Sequence, residues 1–273
     1  AAGDAPAADV ALASDASSDG AGADAIALAK TSTIETADPK AVVVLDANVM
    51  CSFCVNSDHP EWAQAWADRV PMWRDVIDRH RPDLIAFQEL QAAVPTPTPE
   101  VSQLLPPEAG FAWYYYAHTP TDAADYDYPD ATVAWKTARF DLLDKGQFWL
   151  SPTPDTAFSI GFSAKGAQFP RLVVWVLLHD KLNNRDFYFA NTHFDNNSPS
   201  QELSAPLSLA RLGPMAGQHP MIFTGDFNSN LRSVAYQTLT TGVDGKGFHF
   251  ANSWSQAKAK ATFSNRADAA LPL

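Results

Sequence analysis

The sequence predicts a single α/β domain carrying a mixed or antiparallel sheet system. Short apolar runs rich in β-branched residues alternate with stretches of helical period, no internal repeat recurs, and no linker divides residues 41–273. Hydrophobic residues make up 46% of the chain and charged residues 18%, which provides a sizeable core and excludes global disorder.

Residues 1–38 hold mostly Ala, Asp, Ser and Gly in low-complexity order and read as a disordered acidic tether ahead of a domain at 39–273. Ala41-Val-Val-Val-Leu45 reads as a buried strand. In residues 62–80, Trp66, Val70, Trp73 and Ile77 recur at helical spacing, and Pro71 is expected to restart the helix there, in its first turn. Residues 83–87 form a second strand ending at Gln88-Glu89, and Pro95-Thr-Pro-Thr-Pro99 makes a rigid surface connection. Further strands are expected at 111–117, 131–136 and 148–150. The aromatic run Trp113 to Tyr116 reads as core packing before it reads as a base-stacking platform. Residues 171–178 and 187–191 read as a hairpin, followed by a helix within 202–212 that Pro206 delays or kinks. Met221-Ile-Phe-Thr224 is another strand, and residues 233–239 a short helix.

Net charge is −12, of which −6 falls in residues 1–38. Neither part has the basic footprint of a protein that grips long nucleic acid, so avid non-specific DNA binding is not expected. No apolar run approaches the roughly 20 residues of a membrane helix. The Ala-rich, acidic start suits a chain whose secretory signal has been removed, and a secreted or periplasmic location is expected; trimming of the chain would leave the same start. Cys51 and Cys54 are too few for a tetrahedral zinc site and read as two small buried side chains or one local disulfide.

Polar residues gather where apolar runs end: Asn48 after VVVL, Gln88-Glu89 after LIAF, Asn191-Thr192-His193 after FYFA, and Asp226-Phe227-Asn228 after MIFTG. Each alone is an ordinary turn signal. Together they offer hard-cation chemistry, with Glu89 and Asp226 as carboxylates and Asn48 and Asn228 as amide oxygens. That donor set suits Mg²⁺ or Mn²⁺ held by one or two carboxylates beside a substrate phosphate. His193 would donate to a phosphoryl oxygen as charge builds up. Arg171 reads first as a surface Arg at a strand start and second as a reach to a substrate phosphate. Asp195, beside His193, either shapes the substrate mouth or orients that His, or belongs to an ordinary polar loop.

In this order the chain resembles the endonuclease/exonuclease/phosphatase (DNase I-like) superfamily. The matching segments are Asn48, Pro82-Asp-Leu-Ile-Ala-Phe-Gln-Glu89, Phe148-Trp-Leu-Ser-Pro-Thr-Pro-Asp155, Asn191-Thr-His-Phe-Asp195 and Thr224-Gly-Asp-Phe-Asn-Ser229, across roughly residues 41–240. The resemblance implies a four-layer α/β/β/α sandwich of two packed mixed sheets and hydrolysis of a phosphoester, small or nucleic acid, by metal-activated water. It implies Glu89 as principal metal ligand with Asn48 close by, His193 as transition-state stabiliser, and Asp226 orienting nucleophile or leaving group. Asn228 would hold the scissile phosphate, with Arg171, Asn191 and Asp195 on the substrate side.

The resemblance also implies a closing Ser-Asp-His whose His is the general base. After Asn228 the chain holds one His, His249, and no Asp-His pair. The sandwich is therefore expected to be incomplete at its C-terminus, by truncation or as a short form. Ser57-Asp58-His59 reads as a helix-entry loop before it reads as a replacement base. The alternative function is a catalytically silent metal- or phosphate-binding protein on the same scaffold.

Overall fold

Two four-stranded mixed sheets organise the chain. The computed structural model describes residues 38–52, 54, 64–90, 100–116, 131–162 and 170–256. The first sheet has the order β1-β2-β4-β3, from β1 (Val44–Asn48), β2 (Leu84–Gln88), β3 (Phe111–Tyr115) and β4 (Ala131–Lys136). The second runs β5-β6-β7-β8, from β5 (Phe140–Trp149), β6 (Leu172–Asp180), β7 (Arg185–His193) and β8 (Met221–Asp226). Each sheet has one parallel pair, β1 with β2 and β7 with β8, and its other pairings are antiparallel.

Side-chain alternation makes the layers. In β2, Leu84 and Ala86 face the second sheet, where they join Val174, Val176, Phe187 and Phe189 in the core between the sheets. Ile85 and Phe87 point the other way, into a core with α1 (Trp66–His80) and α2 (Glu100–Leu104). The outer face of the second sheet, with Val173 and Ala190, packs on α3 (Ser200–Ala216) and α4 (Val234–Thr241). The result is the expected helix–sheet–sheet–helix sandwich. Completely buried Phe87 and Phe189 each contribute about 1.5–3 kcal/mol relative to exposure.

Several elements depart from expectation. Helix α1 runs unbroken through Pro71 instead of restarting there. Its apolar residues Trp66, Val70, Trp73 and Ile77 all pack on the same core, which holds the helix together across the missing N–H. Helix α3 likewise passes Pro206 and Pro214, anchored by buried Ala205, Leu209 and Leu212. Strand β5 is far longer than the expected 148–150, because residues 141–145 face solvent and give no apolar alternation to read. Strand β7 extends to His193, and β1 includes Asn48 as its last residue. Residues 1–37 of the tether, the proline-rich connection at 95–99, Ser57-Asp58-His59 and residues 257–273 lie outside the described residues. No helix among the described residues is long and apolar enough to cross a membrane.

Gly225 sets how closely β7 and β8 approach. It lies opposite Thr192 with φ 151°, and a Cβ there would stand 2.3 Å from the Thr192 carbonyl oxygen. Backbone cannot yield as a flexible side chain would. Gly225→Ala is expected to cost about 3 kcal/mol, read as a lower urea midpoint; an unchanged midpoint would refute the close-approach argument.

Candidate metal and phosphate site

The site is the polar end of the inter-sheet core. On the face where Val44, Leu84, Phe189 and Ile222 pack, the same alternation continues into Asp46 and Asn48 on β1, Gln88 on β2, Asn191 and His193 on β7, and Asp226 on β8. Register aligns these ends, with Asn48 opposite Gln88 and His193 opposite Asp226. Four strands thus switch from apolar to polar along one face, at the C-terminal ends of both parallel pairs.

Beneath the rim, a hydrogen-bonded seam ties the sheets together. Gln88 Nε2 donates to Asp46 Oδ1 and to Asn191 Oδ1, each at 2.7 Å. Asn191 Nδ2 donates to the carbonyls of Phe87 and Thr132 at 2.8 and 2.9 Å. Asp46 Oδ2 accepts from Gly225 N at 3.1 Å. Asn191, expected on the substrate side, is fully buried, and its amide joins the two sheets. Asp46 was not anticipated as a site residue. It keeps solvent contact in a recess mostly walled by protein. Burial pushes its carboxyl up and the Asp226 charge adds to this, against the hydrogen bonds from Gln88 and Gly225. Its signal in the sequence was parity with Val44 and Asn48.

Above the seam, two carboxylates share one amide. Asn48 Nδ2 donates to Glu89 Oε1 at 2.9 Å and to Asp226 Oδ2 at 3.1 Å. Asn48 Oδ1 accepts from Met50 N at 2.9 Å. Asn48, expected close to the cation, thus lies between the two acids, with its nitrogen facing them and its oxygen closing a turn at Met50. Glu89 Oε2 accepts from Cys51 N, and Asp226 Oδ1 from Asn228 N, both at 2.9 Å. Met50, Glu89 and Asn228 have φ of 58°, 60° and 46°. Left-handed backbone at non-glycine residues is costly and gathers at working sites. At Glu89 it ends the strand and lets the side chain reach the same amide as Asp226. The donor set fits a hard divalent cation: two carboxylates within reach of one nitrogen, with the neighbouring sulfurs of Cys51 and Cys54 joined as a disulfide. Glu89 and Asp226 are the residues that would hold it.

His193 and Arg171 form the other half. Arg171 is buried rather than a surface residue, and its Nη1 lies 2.9 Å from His193 Nδ1. A guanidinium only donates, so Nδ1 accepts and the ring proton sits on Nε2. Nε2 faces Asn228 Nδ2 at 3.0 Å and Asp226 Oδ2 at 3.8 Å. Asn228 Nδ2 also donates to Phe194 O at 2.9 Å, which fixes that amide's orientation. Two N–H donors therefore converge where an acceptor oxygen is called for. Asp195 is buried, and its Oδ1 accepts from the backbone and side chain of Asn197. Of the readings open for Asp195, these contacts support the polar-loop one: it holds the loop after β7. Trp113 to Tyr116 pack in the cores.

Burial, and then the Arg171 charge, push His193 down to about 4, while Asp226, Glu89 and Asp195 pull it up. The ring is neutral at physiological pH. The unfolded chain takes up this proton near pH 6.5 and the folded chain only near 4, so stability falls as pH drops through that window and is fully present above it. The expected cost is about 3 kcal/mol at the acid end, at about 1.4 kcal/mol per pKa unit. Urea midpoints of the wild type and His193→Gln, measured with chelator across this range, should diverge in slope; parallel profiles would contradict the assignment.

Neither a comparison with protein-family models nor one with curated proteins finds a match. Solved structures do match. An endonuclease/exonuclease/phosphatase family protein from Bacteroides thetaiotaomicron superposes with TM-score 0.59 at 25% identity, over 72% of this chain and 66% of that one. A mannosyl-6-phosphatase from the same organism superposes with TM-score 0.58 at 25% identity, over 72% and 69%. The human Nocturnin catalytic domain, bound to sulfate, shares the fold with TM-score 0.53 at 19% identity, over 72% and 68%. The chain thus spans about two thirds of the length of these structures. With its two mixed sheets and its ordered polar strand ends, the chain has the fold of the endonuclease/exonuclease/phosphatase (DNase I-like) proteins it matches.

Proposed function

We propose that the chain is a divalent-cation-dependent hydrolase of phosphoesters. The observation that carries this reading is the pairing, at one rim, of the Glu89–Asp226 acids with the converging donors His193 Nε2 and Asn228 Nδ2. Acids that gather a cation and donors that gather an anion belong together around a phosphoryl group. Mg²⁺ or Mn²⁺ bound there would supply Lewis-acid charge at a phosphoryl oxygen. Arg171 holds the His193 ring in the tautomer that presents Nε2–H. That proton and the Asn228 amide stabilise the oxygen on which charge develops.

A net charge of −12 disfavours long nucleic acid as substrate and favours a small phosphoester. The sugar-phosphate activity named for the Bacteroides phosphatase makes phosphomonoesters the first class to try. The Cys51–Cys54 disulfide suits an oxidising compartment and supports a secreted or periplasmic setting. Purified chain should release p-nitrophenol from the phosphate mono- or diester with Mg²⁺ or Mn²⁺, stop on addition of EDTA, and resume when metal is restored. Release that ignores EDTA would overturn the metal dependence. Mn²⁺ binding without turnover of any ester would favour a silent binding protein.

A further inference from the structure

The loop leaving β1 carries a cross-link and a buried arginine that the proposed chemistry does not use. Cys51 N donates to Glu89 Oε2 at 2.9 Å, so a donor to this carboxylate belongs to a half-cystine. The sulfurs of Cys51 and Cys54 lie within 4.8 Å of that carboxylate. From α1, buried Arg69 reaches the same loop. Its Nη1 donates to the carbonyls of Val49 and Met50 at 2.5 and 2.6 Å, and its Nη2 to that of Cys51 at 2.9 Å. Its Nε donates to Gln64 O at 2.9 Å.

Three successive carbonyls gathered around one guanidinium repel each other unless a cation lies between them, and Met50 at φ 58° pays a further conformational cost. This loop shape is imposed from outside. Arg69 draws the carbonyls inward, and the disulfide closes the turn in which Cys54 N donates to Cys51 O at 3.0 Å. The same shape aims Cys51 N–H at Glu89. Resting on the function proposed above, we propose that the disulfide and Arg69 are positioning elements for Glu89, so that reducing the disulfide weakens divalent-cation binding. A dithiol reductant would pass two electrons and two protons to the sulfurs, opening the S–S bond to two thiols and itself becoming the disulfide. The freed turn would lose the fixed Cys51 N–H, and Glu89 would lose one of its restraints.

The test is Mn²⁺ affinity by electron paramagnetic resonance on the full chain, oxidised and then reduced with dithiothreitol. Thiol titration confirms the reduction, and near-ultraviolet circular dichroism confirms the fold. Groups that orient a ligand are worth about 10–100-fold in metal affinity, so a rise of about ten-fold or more in the Mn²⁺ Kd is expected on reduction, reversed by reoxidation. The Mg²⁺ concentration for half-activation should rise in parallel, with kcat at saturating metal changed less than about two-fold, since no group that contacts substrate is altered. Arg69→Lys, with the disulfide intact, should weaken Mn²⁺ binding in the same direction, because an ammonium cannot span the three carbonyls. Unchanged affinity in folded, fully reduced protein overturns the inference; if reduction unfolds the chain, unchanged affinity in folded Arg69→Lys overturns it. Oxidised wild type that binds no Mn²⁺ removes the metal reading of the site and this inference with it. Oxidised protein that binds, with no effect of reduction or of Arg69→Lys, removes this inference alone.

Discussion

Glu89→Gln should lower kcat/KM for a p-nitrophenyl phosphoester by about a thousand-fold or more and abolish detectable Mn²⁺ binding. The magnitude follows from the several kcal/mol that a bound cation contributes at the transition state, where about 4 kcal/mol is a thousand-fold. The substitution keeps shape and removes charge, but the site also reads the change locally. Glu89 accepts at both oxygens, from Asn48 Nδ2 and from Cys51 N. An amide must turn its own NH₂ toward one of those donors, which adds about 1–3 kcal/mol of mismatch. Thermal unfolding of the variant separates this local cost from loss of the metal. A folded Glu89→Gln protein with near-wild-type activity would show that the cation, if one is used, sits elsewhere.

Much of this site was legible because strand alternation is rigid. Once VVVL, LIAF, FYFA and MIFTG are strands, the polar residues that end them share one rim, and Glu89, His193, Asp226 and Asn228 are brought together as expected. What the residue types could not reveal was which polar groups are spent on structure. Asn191 looked like a substrate contact because it precedes Thr192-His193, yet it lies between β2, β4 and β7, where the two sheets need a hydrogen-bonded join. Asn48 looked like an oxygen ligand, but the left-handed turn at Met50 claims its oxygen and leaves its nitrogen for the acids. Arg171 is indistinguishable in sequence from a surface strand-start residue. Only the packing of β6 on β7 buries it against His193. Asp46 escaped because an acid flanked by apolar residues carries no signal until the face it shares with Asn48 is known to be the site. Arg69 sits in the helical period of α1 as an ordinary charge, and its role depends on a loop 18–20 residues away in sequence.

His193→Ala should separate binding of the anion from binding of the cation. Loss of a preorganised donor to developing charge costs about a hundred- to a thousand-fold in kcat. Mn²⁺ affinity should change little, because His193 is proposed to face a phosphoryl oxygen and is not one of the carboxylates proposed to hold the cation. The opposite assignment, His193 as general base, needs an unprotonated Nε2 toward the substrate. Arg171 forbids it: with Nδ1 accepting from the guanidinium, the neutral ring has its only proton on Nε2 and no lone pair there to offer. The two roles differ in their response to His193→Gln, whose amide can donate from nearly the same position but cannot take up a proton near neutral pH. A donor role predicts that Gln recovers at least about ten-fold over Ala, one good hydrogen bond to a charged oxygen being worth about 1.5–3 kcal/mol. A base role predicts that Gln and Ala are equally inactive. Wild-type kcat/KM should also show no acid limb from His193 near pH 6.5, since this ring stays neutral down to about 4. A limb at pH 6.5 that disappears in His193→Gln would assign the proton transfer to this ring and remove the donor role argued for it.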